Sequence, residues 1–547
     1  MTVPPDFLAD REALPIRVRA LAESSPDRTA ITCIDDGHSL TWSGVHTEAL
    51  KWCDAFQRVG VQRGDAVATM LPQSLVANTV WLGTAWAGAI EFAINNAFKG
   101  PWLTHALNTA TAKIMVVEES FLPAVQAVLS DLPRLETVVV CRTGRADRVE
   151  FARTRGRVNF VSIDEFLAGC VAQEQDWQPD LCDTACAIFT SGTTGPSKAV
   201  LMPWGQIAAF AQLAPYEVPD RQVFFIPFSP FHLAGKGALQ RPALTGTRSV
   251  IREKLSVSQF WDDIRGNGAT WAWIVPLLAH VLHKSPPHVD DLDNPLEYAF
   301  VGPSFPFIDE LRERYGFKAY STWGMTETAN PFYLPPERTT SANFRSSGKP
   351  VPGVDAVIVD EKDNEVAAGE AGELVLRSQR PWVFSQGYFG KPEASLDAWR
   401  NGWFHTGDKF RRNESGEFEY IDRLKDAIRR RGENVSSMEL ENAIMESPDV
   451  AECAAIAIPS DVGEDDVMAV LVTQPGIELT PREFIESLHH RVPDFAIPRY
   501  VRFVDALPRT QVTDRVQKFK LREEGVTSDT WDRDSDTAFA PTSGNRI

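Results

Sequence analysis

Cysteine is scarce in this 547-residue chain: there are seven, an odd number, and no two form a CxxC pair. The pattern suggests neither a zinc site nor a disulfide framework. Reduced, mostly buried thiols are the expectation. An excess of positive charge is also missing. With 55 Lys and Arg against 74 Asp and Glu, the formal net charge is −19. That argues against a nucleic-acid surface and leaves any polyanionic ligand to be met by local donors. No long unbroken apolar run occurs. The most apolar stretch, Leu75 to Phe98, is interrupted by Asn78, Glu91, Asn95 and Asn96, and reads as a buried helix with its following turn instead of a membrane span. The first twenty residues carry early acids and prolines and no apolar core, unlike a signal peptide, so a soluble cytoplasmic protein is expected.

What is present is ordinary globular material, 43% hydrophobic and 24% charged, in a chain too long for one core. Up to about residue 180, β-branched runs alternate with helical periods: Ala30 to Ile34, Ala66 to Leu71, Lys113 to Glu118 and Thr137 to Cys141. Strand followed by helix, repeated, predicts right-handed βαβ units and a largely parallel sheet. A second series follows at Gln222 to Ser229, Thr270 to Pro276 and Glu297 to Pro303. From about Gly348, short strands punctuated by turn residues predict an antiparallel or barrel-like subdomain. Beyond it, a helix from Ser437 to Ser447, strands at Cys453 to Pro459 and Val467 to Thr473, and a helix near Thr480 to Arg491 form an α+β unit. The polar tail, 526–547, is expected to lack ordered structure.

The chemistry is concentrated in "FTSGTTGPSKAV", Phe189 to Val200. Glycines let backbone N–H groups approach an anion, hydroxyls donate to it, and a lysine adds a point charge, so the segment has the makings of a phosphate cradle. Its spacing is neither that of a Walker A loop nor of a dinucleotide GxGxxG. Three further segments follow in order: "YSTWGMTET" (Tyr320 to Thr328), "GWFHTGD" (Gly402 to Asp408) and "DRLKDAIRRRGENVSSMELE" (Asp422 to Glu441).

Together these four segments resemble the signature motifs of the adenylate-forming superfamily, which contains acyl-CoA synthetases, stand-alone adenylation domains and luciferases. The resemblance runs from about Asp27 to Glu524, nearly the whole chain, with the acyl-CoA ligase branch favoured. It implies an α/β fold: a large N-terminal domain (1–424) of two α/β sheet subdomains and a small barrel-like one, then a small mobile α+β C-terminal domain (425–525). It implies too that ATP activates a carboxylate as an acyl-adenylate, which coenzyme A then converts to a thioester. Thr190, Ser191, Gly192, Thr193, Thr194, Gly195 and Lys198 would wrap the β- and γ-phosphates. Thr326 would touch the α-phosphate, and Glu327 would hold Mg²⁺. Gly302 would let adenine approach; Trp323 would stack on the base or belong to the core. Asp408 would accept both ribose hydroxyls, Arg423 would add a ribose or phosphate contact, and Lys425 would be the hinge. Gly432 would line the pantetheine tunnel, with His232 of "PFSPFHLAGKG" as its gate or else a structural histidine. Arg429, Arg430 and Arg431 would be a solvated run or meet the CoA 3′-phosphate.

The last motif departs from the family's "PRTxTGKxxK". In Leu507 to Glu523, "LPRTQVTDRVQKFKLRE", Arg515 stands where the adenylating lysine is usual, Asp514 replaces glycine, and one residue is added after Thr510. A planar, forked guanidinium is not a neutral replacement for an ammonium. Either Arg515, or Lys518 after a shift, still serves adenylation, or the chain performs thioesterification alone on acyl-AMP made by a separate adenylating ligase. An enzyme loading a carrier protein, a luciferase-like oxygenase and an inactive nucleotide-binding module are further alternatives. A large hydrophobic acid, long-chain, aryl or polycyclic, is the expected substrate, from Phe228, Phe231, Leu233 and Trp323 beside the small Ala234, Gly235, Gly237 and Ala238.

Overall fold

The computed structural model describes residues 12–536 apart from 143–153, 156, 191–196, 213–221, 303, 424–426, 461–462, 509–515 and 517. The alternation of strands and helices builds two sheets side by side. The first has eight strands in the order Lys198–Pro203, Thr184–Thr190, Ile90–Ala93, Ala66–Met70, Ile114–Glu118, Thr137–Cys141, Val158–Ser162 and Thr154–Arg155. Its interior pairs are parallel and its two edge pairs antiparallel. The second has seven, in the order Lys318–Tyr320, Tyr298–Phe300, Trp271–Trp273, Val223–Ile226, Arg248–Ile251, Thr29–Cys33 and Ser39–Thr41. Between the sheets, helices Leu75–Trp86, Trp204–Ala211 and Leu233–Thr245 bury Trp81, Trp86, Trp204 and Leu239 in one shared core.

The segment Leu75 to Phe98 is not one helix and a turn. Its second half supplies strand Ile90–Ala93, hydrogen-bonded on both sides. A strand covered on both faces loses its polar alternation, so it cannot be told from a buried helix by periodicity.

The third layer is an antiparallel six-stranded sheet, in the order Phe332–Tyr333, Ser346–Pro350, Phe418–Arg423, Phe404–Arg412, Ala371–Ser378 and Val354–Val359. Phe332, Leu374, Leu376, Phe410 and Phe418 fill its core.

The C-terminal unit opens with a hairpin, Ala427–Arg430 and Glu433–Ser436, followed by helix Ser437–Met445. Strands Val450–Pro459, Asp465–Thr473, Tyr500–Phe503 and Trp531–Asp532 form a sheet in chain order. Alternate residues of its first strand face two cores: Ala455 packs with Phe484 and Leu488, Ile456 with Leu507 and Leu521. The fourth strand corrects the expectation for the tail: Trp531 pairs with Val501, and Arg499 holds Asp532 at 3.0 Å. Nonlocal pairing orders a segment whose composition alone reads as unstructured. Residues 537–547 lie outside the described residues.

All seven cysteines are free, and Cys33, Cys53, Cys141 and Cys186 are buried. Burial pushes the Cys53 and Cys186 thiols up to about 12. Among the described residues no helix is long and apolar enough to cross a membrane.

Candidate active site

The phosphate-loop segment connects the antiparallel strands Thr184–Thr190 and Lys198–Pro203, so Thr190 and Lys198 stand opposite each other at its base. Ser191, Gly192, Thr193, Thr194 and Gly195 lie outside the described residues. A stretch the sequence reading did not single out, Gln386 to Phe389, runs along the exposed edge of Lys198–Pro203 through bonds such as Phe389 N–H to Ala199 O, 2.8 Å. This addition carries Tyr388 into the site. Its ring lies 4.9 Å from Lys198 Nζ, and its hydroxyl donates to Glu327 Oε1 at 3.0 Å.

Glu327 is buried, and its carbonyl accepts from Ser385 N–H at 2.8 Å. Thr326 is tied to helix Trp204–Ala211 by Gln206 Nε2, which donates to its carbonyl at 2.6 Å. The structure thus brings together Thr190, Lys198, Thr326 and Glu327. A buried carboxylate beside a hydroxyl and an ammonium is the hard, charged donor set that fits Mg²⁺ and phosphate oxygens.

Asp408 lies on strand Phe404–Arg412 and is buried. Five residues, His405 to Lys409, oppose the three from Glu373 to Val375, a bulge around Gly407 that Glu373 Oε1 stabilises by accepting from Gly407 N–H at 2.9 Å. Such a bulge re-aims the residue after it. Across the ladder Asp408 faces Arg423, so the sheet places these two predicted ribose contacts side by side. Trp323 is half-buried and packs edge-on to Phe332 and Phe410, 5.9 and 5.2 Å away, next to Asp408's strand. It is therefore part of the small-sheet core at its boundary. At Gly302 a Cβ would meet the Phe300 ring at 2.8 Å, so packing within the chain already demands glycine there.

The C-terminal hairpin reaches into the same region. Arg431 and Gly432, with φ of 53° and 77°, form its two-residue turn, the geometry that favours glycine at a hairpin tip. Just after the turn, Glu433 Oε1 lies 3.1 Å from His232 Nε2, while Asn95 Nδ2 donates to Glu433 Oε2 at 3.2 Å. From helix Ser437–Met445, Glu439 accepts a hydrogen bond from Ser197 N–H at the exit of the phosphate loop. His105 Nε2 lies 2.9 Å from the Ser197 carbonyl. Burial pushes the Glu439 carboxyl up to about 7, against the lowering effect of the Ser197 contacts. Ala93, Asn95, Thr190, Ser197, Thr326 and His232 line one cavity with Glu433 and Glu439. Glu433 and Glu439 fall within the segment Asp422 to Glu441, whose sequence alone assigns them no role. Tyr388 and Asn95 carry no motif signal, because their part depends on which strands become neighbours.

Other predicted positions are placed elsewhere. Lys518 pairs with Glu441 at 2.6 Å and donates to Ser437 Oγ at 2.9 Å, wholly within the C-terminal unit. Its described contacts include neither Glu327 nor Asp408. Lys425 and Arg515 lie outside the described residues. The basic run is not one solvated face: Arg430 is buried, donates to the Ile497 carbonyl and lies 3.3 Å from Asp466. Burial lowers its pKa to about 10. Arg429 and Arg431 are the two of the three that face outward.

The AMP-binding enzyme pattern matches residues 18–389, and that of the AMP-binding enzyme C-terminal domain matches 439–513. The chain belongs to this family, the adenylate-forming superfamily of AMP-binding enzymes. It is 26% identical to a crotonobetaine/carnitine–CoA ligase of Salmonella arizonae over 498 residues, 89% of this chain and 95% of the relative. In fold it resembles an o-succinylbenzoate CoA synthetase from Bacillus subtilis, at TM-score 0.80 and 20% identity over 94% of this chain and 99% of the other. It also resembles an amide bond synthetase from Marinactinospora thermotolerans, at TM-score 0.78 and 23% identity, covering 93% and 99%.

Proposed function

We propose that the protein is a cytoplasmic acyl-CoA ligase, an acid–thiol ligase that joins a hydrophobic carboxylic acid to coenzyme A through an acyl-adenylate. A carboxylate oxygen attacks the α-phosphorus of ATP, the bond to the β-phosphate bridge breaks, and pyrophosphate leaves with the electron pair. The CoA thiolate then attacks the acyl carbon, and AMP leaves with the electrons of the acyl–oxygen bond.

Lys198, Thr190 and the loop between them hold the β- and γ-phosphates, and Thr326 orients the α-phosphate. Mg²⁺, when bound, neutralises charge that builds on the phosphate oxygens. Glu327, held by Tyr388, is the residue that would carry it. Asp408 and Arg423 fix the ribose, leaving the acyl carbon to be presented near His232. The C-terminal domain turns about Lys425, and Gly432 borders the path of the thiol.

The observation that carries this reading is the approach of Glu433, the residue after the hairpin turn, to His232, beside Thr326. A hairpin tip presented there belongs to the second half-reaction. Phe228, packed on Trp273 at 5.1 Å, and buried Phe231 support an apolar acyl group.

A second reading, thioesterification alone on an acyl-adenylate delivered by a separate ligase, is favoured by Arg515 and by Lys518 being engaged with Glu441. Carboxylate-dependent pyrophosphate exchange and acyl-CoA formation from synthetic acyl-AMP decide between them. Exchange with a hydrophobic acid supports the complete ligase. No exchange but turnover of acyl-AMP supports the partial one, and no product from acyl-AMP overturns both.

A further inference from the structure

A buried ion pair joins the helix that follows His232 to the strand that precedes Asn95. Lys236 and Glu91 are 2% and 1% exposed, and their ammonium and carboxylate are in contact. Thr69 Oγ1 donates to Glu91 Oε1 at 2.9 Å, and Lys236 Nζ lies 4.4 Å from the centre of the Trp81 ring. Lys236 sits four residues after His232, one turn into helix Leu233–Thr245. Glu91 sits four residues before Asn95, on strand Ile90–Ala93. His232 and Asn95 are the two N-terminal residues that hold Glu433, one on each carboxylate oxygen.

A fully buried ion pair adds little net stability, because desolvation offsets attraction; apolar residues of similar volume commonly do as well. What it supplies is one fixed register. Apolar contacts between a helix and a strand tolerate sliding, whereas an ammonium, a carboxylate and a hydroxyl donor satisfy each other in a single arrangement.

We propose that Lys236 and Glu91 are a positioning pair that fixes the spacing of His232 and Asn95 as the seat of Glu433, and thereby the docking of the C-terminal domain for thioester formation. This inference rests on the ligase reading above. The pair touches no reacting atom; it acts through the two residues it spaces.

The test is the double variant Lys236→Met with Glu91→Leu in the full chain, because removing one partner alone leaves a buried charge and destabilises the fold. Thioester formation is measured from benzoyl-AMP and octanoyl-AMP with CoA, alongside thermal melting, ATP affinity and hydrogen exchange of residues 427–436. The expected result is an unchanged or higher melting temperature, an unchanged Kd for ATP and faster exchange of 427–436. Thioester formation should slow by about tenfold or more, as a displacement of the order of 1 Å does. Adding Glu433→Gln to the double variant should cost no more, since its seat is already lost. A wild-type thioester rate in the double variant, or a Glu433→Gln loss that multiplies on top of it, overturns the proposal. If the wild type turns over neither adenylate, the ligase reading fails instead. Exchange of 427–436 then decides this one, and unchanged exchange in the double variant overturns it.

Discussion

Two pairs of carboxylates, one from each domain, are held in opposite ways. Glu327 and Asp408 belong to the N-terminal part and are buried in it, the first tied to Tyr388 and its backbone to Ser385, the second set by a bulge within its own sheet. Glu433 and Glu439 arrive from the C-terminal unit and reach residues distant in sequence: His232, Asn95 and Ser197. The first pair is held within one domain, and the second by contacts between domains. On the proposed reading nucleotide binding and domain docking are served by different acids, so each should be separable by mutation.

The largest separation is expected from Glu327→Gln. It keeps the Tyr388 contact but removes the charge, and acyl-CoA formation from acid and ATP should fall on the order of 100-fold. Turnover of preformed acyl-AMP should be nearly unchanged; equal losses in both assays would erase the distinction drawn here. Glu433→Gln should do the reverse, slowing the thioester step by about tenfold while leaving ATP affinity intact. Tyr388→Phe removes one hydrogen bond to a carboxylate, worth about 1.5–3 kcal/mol. It should weaken Mg²⁺-dependent ATP binding by about tenfold, as titration calorimetry at several Mg²⁺ concentrations would show.

The smallest effect is a pH dependence. The docked Glu439 carboxyl has its pKa raised from 4.5 to about 7 by burial. The docked form therefore binds more protons than the undocked one between these values, and docking weakens as pH rises through that window, then levels off. Hydrogen exchange of residues 437–445 followed from pH 5 to 8 should show this slope. Glu439→Gln should flatten it.

Much of this comparison was legible in the chain itself. The β-branched runs at Ala66 to Leu71, Lys113 to Glu118 and Thr137 to Cys141 became parallel strands because local period and chain order agree. Thr326, Glu327 and Asp408 could be named because their motifs are contiguous. The cross-domain acids could be quoted but not assigned, since Glu433 acquires its role from Asn95, 338 residues away. Strand Ile90–Ala93 was hidden by burial on both faces, and strand Trp531–Asp532 by a polar composition that only pairing with Tyr500–Phe503 makes sense of. Sequence period reports one face of one element, and these features depend on which elements become neighbours.

That last short strand also bears on how the protein behaves in company. By pairing with Tyr500 and Val501 it covers backbone N–H and C=O groups that would otherwise form an open sheet border. Open borders of this kind recruit strands from other molecules. Arg499, clamped between Asp466 and Asp532 at 2.9 and 3.0 Å, fastens the cover with charge instead of apolar area. A chain ending after Gly525 would retain every residue assigned here to nucleotide or thiol, yet would present an unguarded template to its copies.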